Sequence, residues 1–544
     1  NPVTKALRAF NYGNLSTDGY GGNFTNLCGK TPTPLQCGTL TSGQVTLAND
    51  GTNLVNFLRG DPTYEIETNL TNPLYRERVV KLGDIINASP VYIKKSTLKY
   101  TDAGYSTFAG TTATRRAMLY AAANDGMLHA FDATTGIEQW AFVPSFVMPN
   151  LFRLADSDYR NNHRFFVDGS PVVADVYNGT AWKTILIGGL NSGGKGYYAL
   201  DVTDPDNPVG LWEFTDANMG LTYGNPVITK MADGTWVVAL SSGLNNADGV
   251  GRLYLVNAVT GALVSSLSTA TGTAADPSGL AKINAWVDDS TNNTAKRFYG
   301  GDMLGNLWRF DFNSPVLYGA DVTKLATFQH SSTSPQPITT KPQLTLVKAS
   351  GGTKVPVIVV ATGRYLGTSD VGDTTVQSIY AIKDPLTATG WGDVRLRTDL
   401  VSQSVTVSGV TGTGTANAVD WNTKIGWKMD LPQSKERVTT DFLLNFNVLT
   451  VASAVPGSNE CNPSGGSSWL YELSVGSGTA ANGTSVSTYL GSYLVVGMSA
   501  IMATDGNLRH IIVGSDASVQ TRKPAPPSFD TNSVRRTSWR ELVR

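Results

Sequence analysis

From about residue 82 onward, short apolar runs alternate with turns rich in Asn, Asp, Gly and Thr. A three-part unit recurs. Its first part is a small residue or Lys, then Pro and an apolar stretch: SPVYI at 89, SPVVADV at 170, NPVITKM at 225 and KPQLTLV at 341. An apolar run ending in Gly follows, then an aromatic-rich strand ending in Asp or an equivalent. Both are visible in MLYAAANDGMLHAFDATTG from 118, ILIGGLNSGGKGYYALDV from 185, WVVALSSGLNNADGVGRLYLVNAVTG from 236 and RFYGGDMLGNLWRFDF from 297. Degenerate copies follow in VIVVATGRYLGTSD with SIYAIKD, and in SSWLYELS.

The last residues of the third strands, Asp132, Asp201, Asn257, Asp311, Lys383 and Ser474, are spaced by 69, 56, 54, 72 and 91 residues. Short period-two strands divided by Asn-Asp-Gly or Ala-Thr-Thr-Gly turns predict four-stranded antiparallel blades. A single blade cannot bury both faces, so the repeat predicts an all-β, quinoprotein-like β-propeller. Six markers, plus LRHIIVGSDASVQ at 508–520 as a further strand pair, give seven blades, with six and eight as alternatives. A chain-end strand completing the first blade is expected to close the ring. Intervals above about 55 residues imply long inter-strand insertions, where function tends to sit.

The first 80 residues lack this rhythm. They read as an irregular N-terminal segment packing on or leading into the propeller of 81–544, with one short helix around LVNFLRG at 54–60. A parallel α/β fold is excluded because segments of helical period are missing.

With 42 Lys+Arg against 43 Asp+Glu, the net charge is -1. That removes the positive field a nucleic-acid binder uses, so nucleic acid is not an expected partner. No run of 18 apolar residues occurs, so no transmembrane helix is predicted. The start, NPVTKALRAFNYG, carries no signal peptide and no Met, and reads as part of a longer precursor whose upstream portion holds the export information.

Cys28 and Cys37 sit nine apart in a Gly/Thr/Pro-rich stretch, where a loop-closing disulfide is easy; Cys461 is then odd. This favours an oxidising, extracytoplasmic compartment; the alternative is three reduced thiols. No CxxC or Cys/His cluster suggests zinc, and His129, His163, His330 and His510 read as ordinary core or surface residues.

Catalysis finds no support. The unit from Asp125 to Trp140 resembles blades of pyrroloquinoline-quinone dehydrogenases, but that resemblance implies a vicinal Cys-Cys pair, which this chain lacks. No pyrroloquinoline quinone is therefore expected. GxSxG is also absent, so the chain reads as a non-enzyme. Trp140, Trp212, Trp308 and Trp469 read as blade packing, and Trp286 and Trp421 as the better candidates for exposed contacts.

LGDIINASPVYI at 82–93, RRAMLYAAANDGMLHAFDATTG at 115–136, RFYGGDMLGNLWRFD at 297–311 and SVRRTSWRELVR at 533–544 together resemble the C-terminal propeller of the PilC/PilY family, tip-associated adhesins and biogenesis factors of type IV pili. The resemblance implies a cell-surface protein of the bacterial outer surface and pilus tip, transiting the periplasm. It also implies roles in pilus assembly, adhesion, virulence and twitching motility, with major and minor type IV pilins and a host or surface receptor as partners. A secreted ligand-binding propeller or quinoprotein-like dehydrogenase is the alternative.

The family carries a nine-residue calcium loop just before the GGD string. Residues 288–296 occupy that place, so the resemblance implies Asp288, Ser290 and Asn292 as side-chain ligands and Thr294 as a carbonyl ligand. Calcium wants six to eight hard oxygens. The ninth position, an acid in the family pattern, is Lys296, which reverses the local charge. An ion-free turn held by Asx-type bonds and a Lys296–Asp288 link is the competing expectation. Arg59-Gly60-Asp61, as in family members that use such a tripeptide, implies an integrin contact; local pairing of Arg59 with Asp61 or Glu65 is the bland alternative.

Overall fold

Strand sequences such as MLYAAA at 118–123 and WVVALS at 236–241 are apolar without alternation, which suits strands covered on both faces by neighbouring sheets. The computed structural model describes residues 1–312, 321–331, 334–457, 465–503 and 505–525, and the strand 535–536. The chain divides into two units: 1–96, 107–226 and 258–262 form the first, and 97–106, 227–257 and 263–544 the second.

In the first unit the N-terminal segment holds more helix than its composition suggests. Helix α1 (Tyr12–Thr17) starts where the Asn11 side chain accepts the Asn14 N–H. Helix α2 (Ser42–Ala48) opens with a Thr41/Gln44 capping box. Helix α3 (Gly51–Leu58) begins three residues before the expected 54–60 because Asp50 accepts the N–H groups of Thr52 and Asn53 at 2.7 and 3.1 Å. It buries Leu54, Val55, Phe57 and Leu58 in a core with Leu74, Tyr75 and Leu151. Cys28 and Cys37 form a disulfide.

Two four-stranded antiparallel sheets follow in this unit. The first contains β1 (Val91–Ile93), β2 (Met118–Ala123), β3 (Met127–Asp132) and β4 (Glu138–Phe142), with helix α4 (Tyr105–Thr111) between β1 and β2. The second contains β5 (Val172–Tyr177), β6 (Trp182–Gly189), β7 (Tyr197–Asp201) and β8 (Val209–Phe214).

The second unit adds five blade sheets and one small two-stranded pair. One is β9 (Val227–Lys230), β10 (Trp236–Ser241), β11 (Arg252–Asn257) and β12 (Leu263–Ser268); the next is β13 (Ile283–Val287), β14 (Ala295–Gly301), β15 (Asn306–Asp311) and β16 (Asp321–Thr327). A small pair, β17 (Gln329–Ser331) and β18 (Ser334–Pro335), follows. The fifth sheet is built on β19 (Gln343–Lys348), β20 (Lys354–Ala361) and β21 (Ser378–Lys383), and is extended at its outer edge as described below.

That outer edge carries β25 (Gly426–Asp430), with β22 (Leu400–Gln403) running parallel beside it. The sixth sheet orders β26 (Leu443–Asn445), β27 (Val448–Pro456), β28 (Gly466–Ser474) and β29 (Ser487–Gly491), with the hairpin β23 (Val405–Ser408) and β24 (Thr411–Gly414) appended to β29. The seventh has three strands, β30 (Val495–Met502), β31 (Leu508–Gly514) and β32 (Val519–Arg522).

Seven sheets of this pattern make a seven-bladed β-propeller, as the repeat predicts. Each marker residue, from Asp132 to Ser474, is the last residue of a third strand of its blade: β3, β7, β11, β15, β21 and β28. The longest interval, between Lys383 and Ser474, contains the additions to the fifth and sixth sheets, β22 to β25, and the next longest contains the small pair β17 and β18. One expectation fails: the chain-end strand β33 (Arg535–Arg536) pairs with β19 of the fifth sheet, and the first sheet builds its four strands from consecutive residues 91–142. Cys461 and the remainder of the 533–544 string lie outside the described residues.

Candidate functional site

The segment 288–296 comprises the β13–β14 connection, 288–294, and the first two residues of β14. Its geometry follows from who supplies its hydrogen bonds. Asp289 makes the Asx turn, its Oδ1 accepting Thr291 N–H at 2.9 Å and Thr291 Oγ1–H at 2.7 Å. Asn292 Oδ1 accepts from Thr294 Oγ1 at 2.6 Å. The backbone carbonyls are also engaged: Thr101 N–H donates to Thr291 O at 2.9 Å, and Asn293 O receives Lys230 N–H at 2.9 Å and Thr229 Oγ1–H at 2.8 Å. Asn293 tolerates φ +55 here, a left-handed position that Asn accepts more readily than most residues.

The remaining anion is neutralised from within. Asp288 Oδ2 is 2.5 Å from Lys296 Nζ, and its Oδ1 accepts the Trp286 indole N–H at 2.8 Å. Partial burial pushes the Asp288 carboxyl up, but the Lys296 ammonium and the indole donor outweigh it and hold the group below the ordinary carboxylate range. Around the loop, Lys230 Nζ lies 2.5 Å from Asp102 Oδ1, and Tyr100 packs tilted on Trp236 with centroids 5.4 Å apart.

These residues do not fit calcium. A Ca2+ ion needs several free oxygens on one concave side, whereas Asp288 and Asn292 hold internal partners and an ammonium sits against the only ligand-position carboxylate. Among the described residues no group of three or more His, Cys, Asp and Glu is placed to hold a metal ion.

Arg59-Gly60-Asp61 lies at the C-terminal end of α3, in the first unit. The turn needs Gly60, at φ +104. Arg59 is exposed and makes no ion pair among the described residues. Asp61 Oδ1 accepts Thr63 N–H at 2.8 Å and Thr63 Oγ1–H at 2.5 Å, and the Thr63 side-chain bond, more than any charge, lowers its pKa. The expected local pairing of Arg59 is absent because Glu65, fully buried, is already bound by Arg78 at 2.7 Å and Lys81 at 2.7 Å.

Two tryptophans were misplaced by sequence reasoning. Trp286 and Trp421 are each only 2% exposed, and the Trp421 indole donates to Gly476 O at 2.7 Å. The packing assignment holds elsewhere: Trp140 donates to Pro205 O, Trp212 to Ala258 O and Trp308 to Asp302, while Trp469 sits edge-on to Tyr489. His129 is no ordinary histidine. Its Nδ1 meets Glu138 at 2.8 Å and its Nε2 meets Asp125 at 3.0 Å. The i, i+4 spacing of Asp125 and His129 across a hairpin was the available signal.

A family model, "PilY1 beta-propeller domain", matches residues 82–407. The chain is similar to a type IV pilus biogenesis factor PilY1 homolog of Xylella fastidiosa (strain Temecula1), 34% identical over 541 residues, covering 92% of this chain and 42% of that protein. It is likewise 34% identical over 478 residues to PilY1 of Pseudomonas aeruginosa (strain PAK), covering 78% of this chain and 40% of that one. The chain thus spans about two fifths of the length of these relatives. The crystal structure of the Pseudomonas aeruginosa PilY1 C-terminal domain superposes with a TM-score of 0.65 and 25% identity, covering 80% of this chain and 99% of that one.

Proposed function

Because the chain belongs to the PilY1 beta-propeller family, we propose that it is the propeller of a type IV pilus biogenesis factor, acting at the pilus outside the cytoplasm. The observation that carries this reading is the family match over 82–407 on a fold that aligns with nearly the whole of a solved PilY1 C-terminal domain. The Cys28–Cys37 disulfide supports an oxidising compartment on the way to the pilus tip.

Within that reading the propeller meets major and minor pilins, and it serves adhesion and twitching motility. Arg59 and Asp61 are the proposed contact to an integrin-type receptor, supported by the solvent-facing Arg59 guanidinium, which has no ion pair among the described residues. The role proposed here runs without calcium at 288–296, since Lys296 supplies the positive charge.

In-place crosslinking on sheared pili tests the reading. Pilin subunits joined to this chain are the expected result; a chain that stays with the cells and joins no pilin contradicts it.

A further inference from the structure

A cavity of about 690 Å3 opens in the first unit, between the Ser145–Ala155 3-10 stretch and the loop that follows it, with the disulfide-closed loop at its rim. That volume lies within the range of small-ligand pockets, roughly 300–1,000 Å3. Its lining is unusual in its charge accounting. Asp156 Oδ1 is taken by the N–H groups of Leu35 and Asp158, both at 3.0 Å. Asp158 is taken by the side-chain amides of Asn161 and Asn162, at 2.6 and 2.9 Å.

Two guanidinium groups are left without a carboxylate. Arg153 and Arg164 line the same cavity, and neither makes an ion pair among the described residues. Arg153 is half-buried, with a long bond of 3.4 Å to Asn150 Oδ1 and its guanidinium 5.3 Å from the Phe152 ring centroid. Burial lowers its pKa, and Arg164 lowers it further, so the two positive charges feel each other. Asp156 acts on Arg153 as well, but two guanidinium groups lining one cavity with no ion pair among the described residues suit an anionic ligand.

The remaining lining narrows the anion's class. Asn161 and Asn162 donate their side-chain N–H groups to Asp158, and their side-chain carbonyls accept no hydrogen bond among the described residues, so they can accept from hydroxyl donors. Phe165, half-buried, offers an aromatic face at the cavity wall. We propose that this cavity binds an acidic saccharide, its carboxylate or sulfate held by Arg153 and Arg164 and its hydroxyls by Asn161 and Asn162. His163 is committed to Asp84 at 3.0 Å and plays no part.

Isothermal titration of the full chain tests this with digalacturonic acid and a heparin tetrasaccharide as acidic probes. Lactose, acetate and a short peptide with a free C-terminal carboxylate serve as controls. At least one acidic saccharide is expected to bind, weakening by about tenfold or more in Arg153→Gln/Arg164→Gln, a loss of the size set by removing charge-assisted bonds. Lactose and acetate are expected to give no heat. Should the double variant melt early, Arg164→Gln alone, at an exposed position, is used and is expected to weaken binding in the same direction. Absence of heat with both acidic saccharides, equal binding of lactose, or preference for the peptide each overturns the proposal.

Discussion

Lys296 Nζ lies 2.5 Å from Asp288 Oδ2, so the first residue of the β13–β14 connection is tied to the start of β14 across the turn. Both side chains are about half exposed, at 49% and 52%, and such a pair contributes at most about 1 kcal/mol in water. Its importance is where the charge stands, not how strongly it holds.

Calcium titration follows directly. Wild-type protein stripped with chelator is expected to show neither binding heat nor a melting shift in millimolar calcium. Lys296→Asp removes the internal cation and restores an acid, and is expected to gain calcium-dependent heat. Calcium heat in the wild type that Asp288→Asn abolishes contradicts the misfit.

His129 sets an alkaline limit on stability. Burial pushes its pKa down, but Asp125 and Glu138 more than offset this and raise it to about 9. A group whose folded pKa exceeds its unfolded value of 6.5 stabilises fully below 6.5 and loses that contribution as pH rises towards 9. The expected loss is about 2 kcal/mol over that window, allowing for the exposure of Glu138. Urea midpoints at pH 6 and pH 9.5 measure it; His129→Gln should lower the first and flatten the difference. An unchanged slope in the variant contradicts the assignment.

Asp302, in the GGDMLGN turn, is buried, and burial raises its pKa to about 6 despite donors from Trp308, Asn306 and Leu304. Those donors are at 2.8 to 2.9 Å: the Trp308 indole, the Asn306 amide and backbone N–H, and the Leu304 N–H. Asp302→Asn puts an NH2 among donors, and is expected to cost about 2–4 kcal/mol by leaving several unmet. Chemical denaturation of the variant checks this; a change within the ordinary surface range of about 0.5 kcal/mol contradicts this role for Asp302.

Attachment tests the tripeptide. Arg59→Ala is expected to leave the melting temperature unchanged, because the side chain is exposed and makes no ion pair among the described residues, and to reduce binding to integrin-coated surfaces together with Asp61→Ala. Unchanged attachment by the double variant contradicts the contact.

The fold was legible in the sequence because third strands end at a fixed point of each blade, so Asp132, Asp201, Asn257 and Asp311 mark turns whose chemistry recurs. Where the chain adds strands the signal fades: TGTG of β24 has no apolar alternation, and β33 carries two arginines. Helix α1 was missed because its stability comes from the Asn11 cap and the burial of Leu15, in a run otherwise rich in Asn and Gly. Trp286 and Trp421 sit outside the repeat rhythm, yet lie in the core; rhythm reports blade position, not exposure. The Lys296–Asp288 link could be read from the residues, while the Arg153 and Arg164 pair could not, because their carboxylate neighbours are spoken for only in three dimensions.

If this propeller serves the machinery of type IV pili, an in-frame deletion of its coding region in the native bacterium, with surface pili counted by electron microscopy and twitching zones measured, exposes that role. Loss of pili or of twitching, restored by the wild-type gene, is the predicted result; normal pili and normal twitching in the deletion strain contradict it.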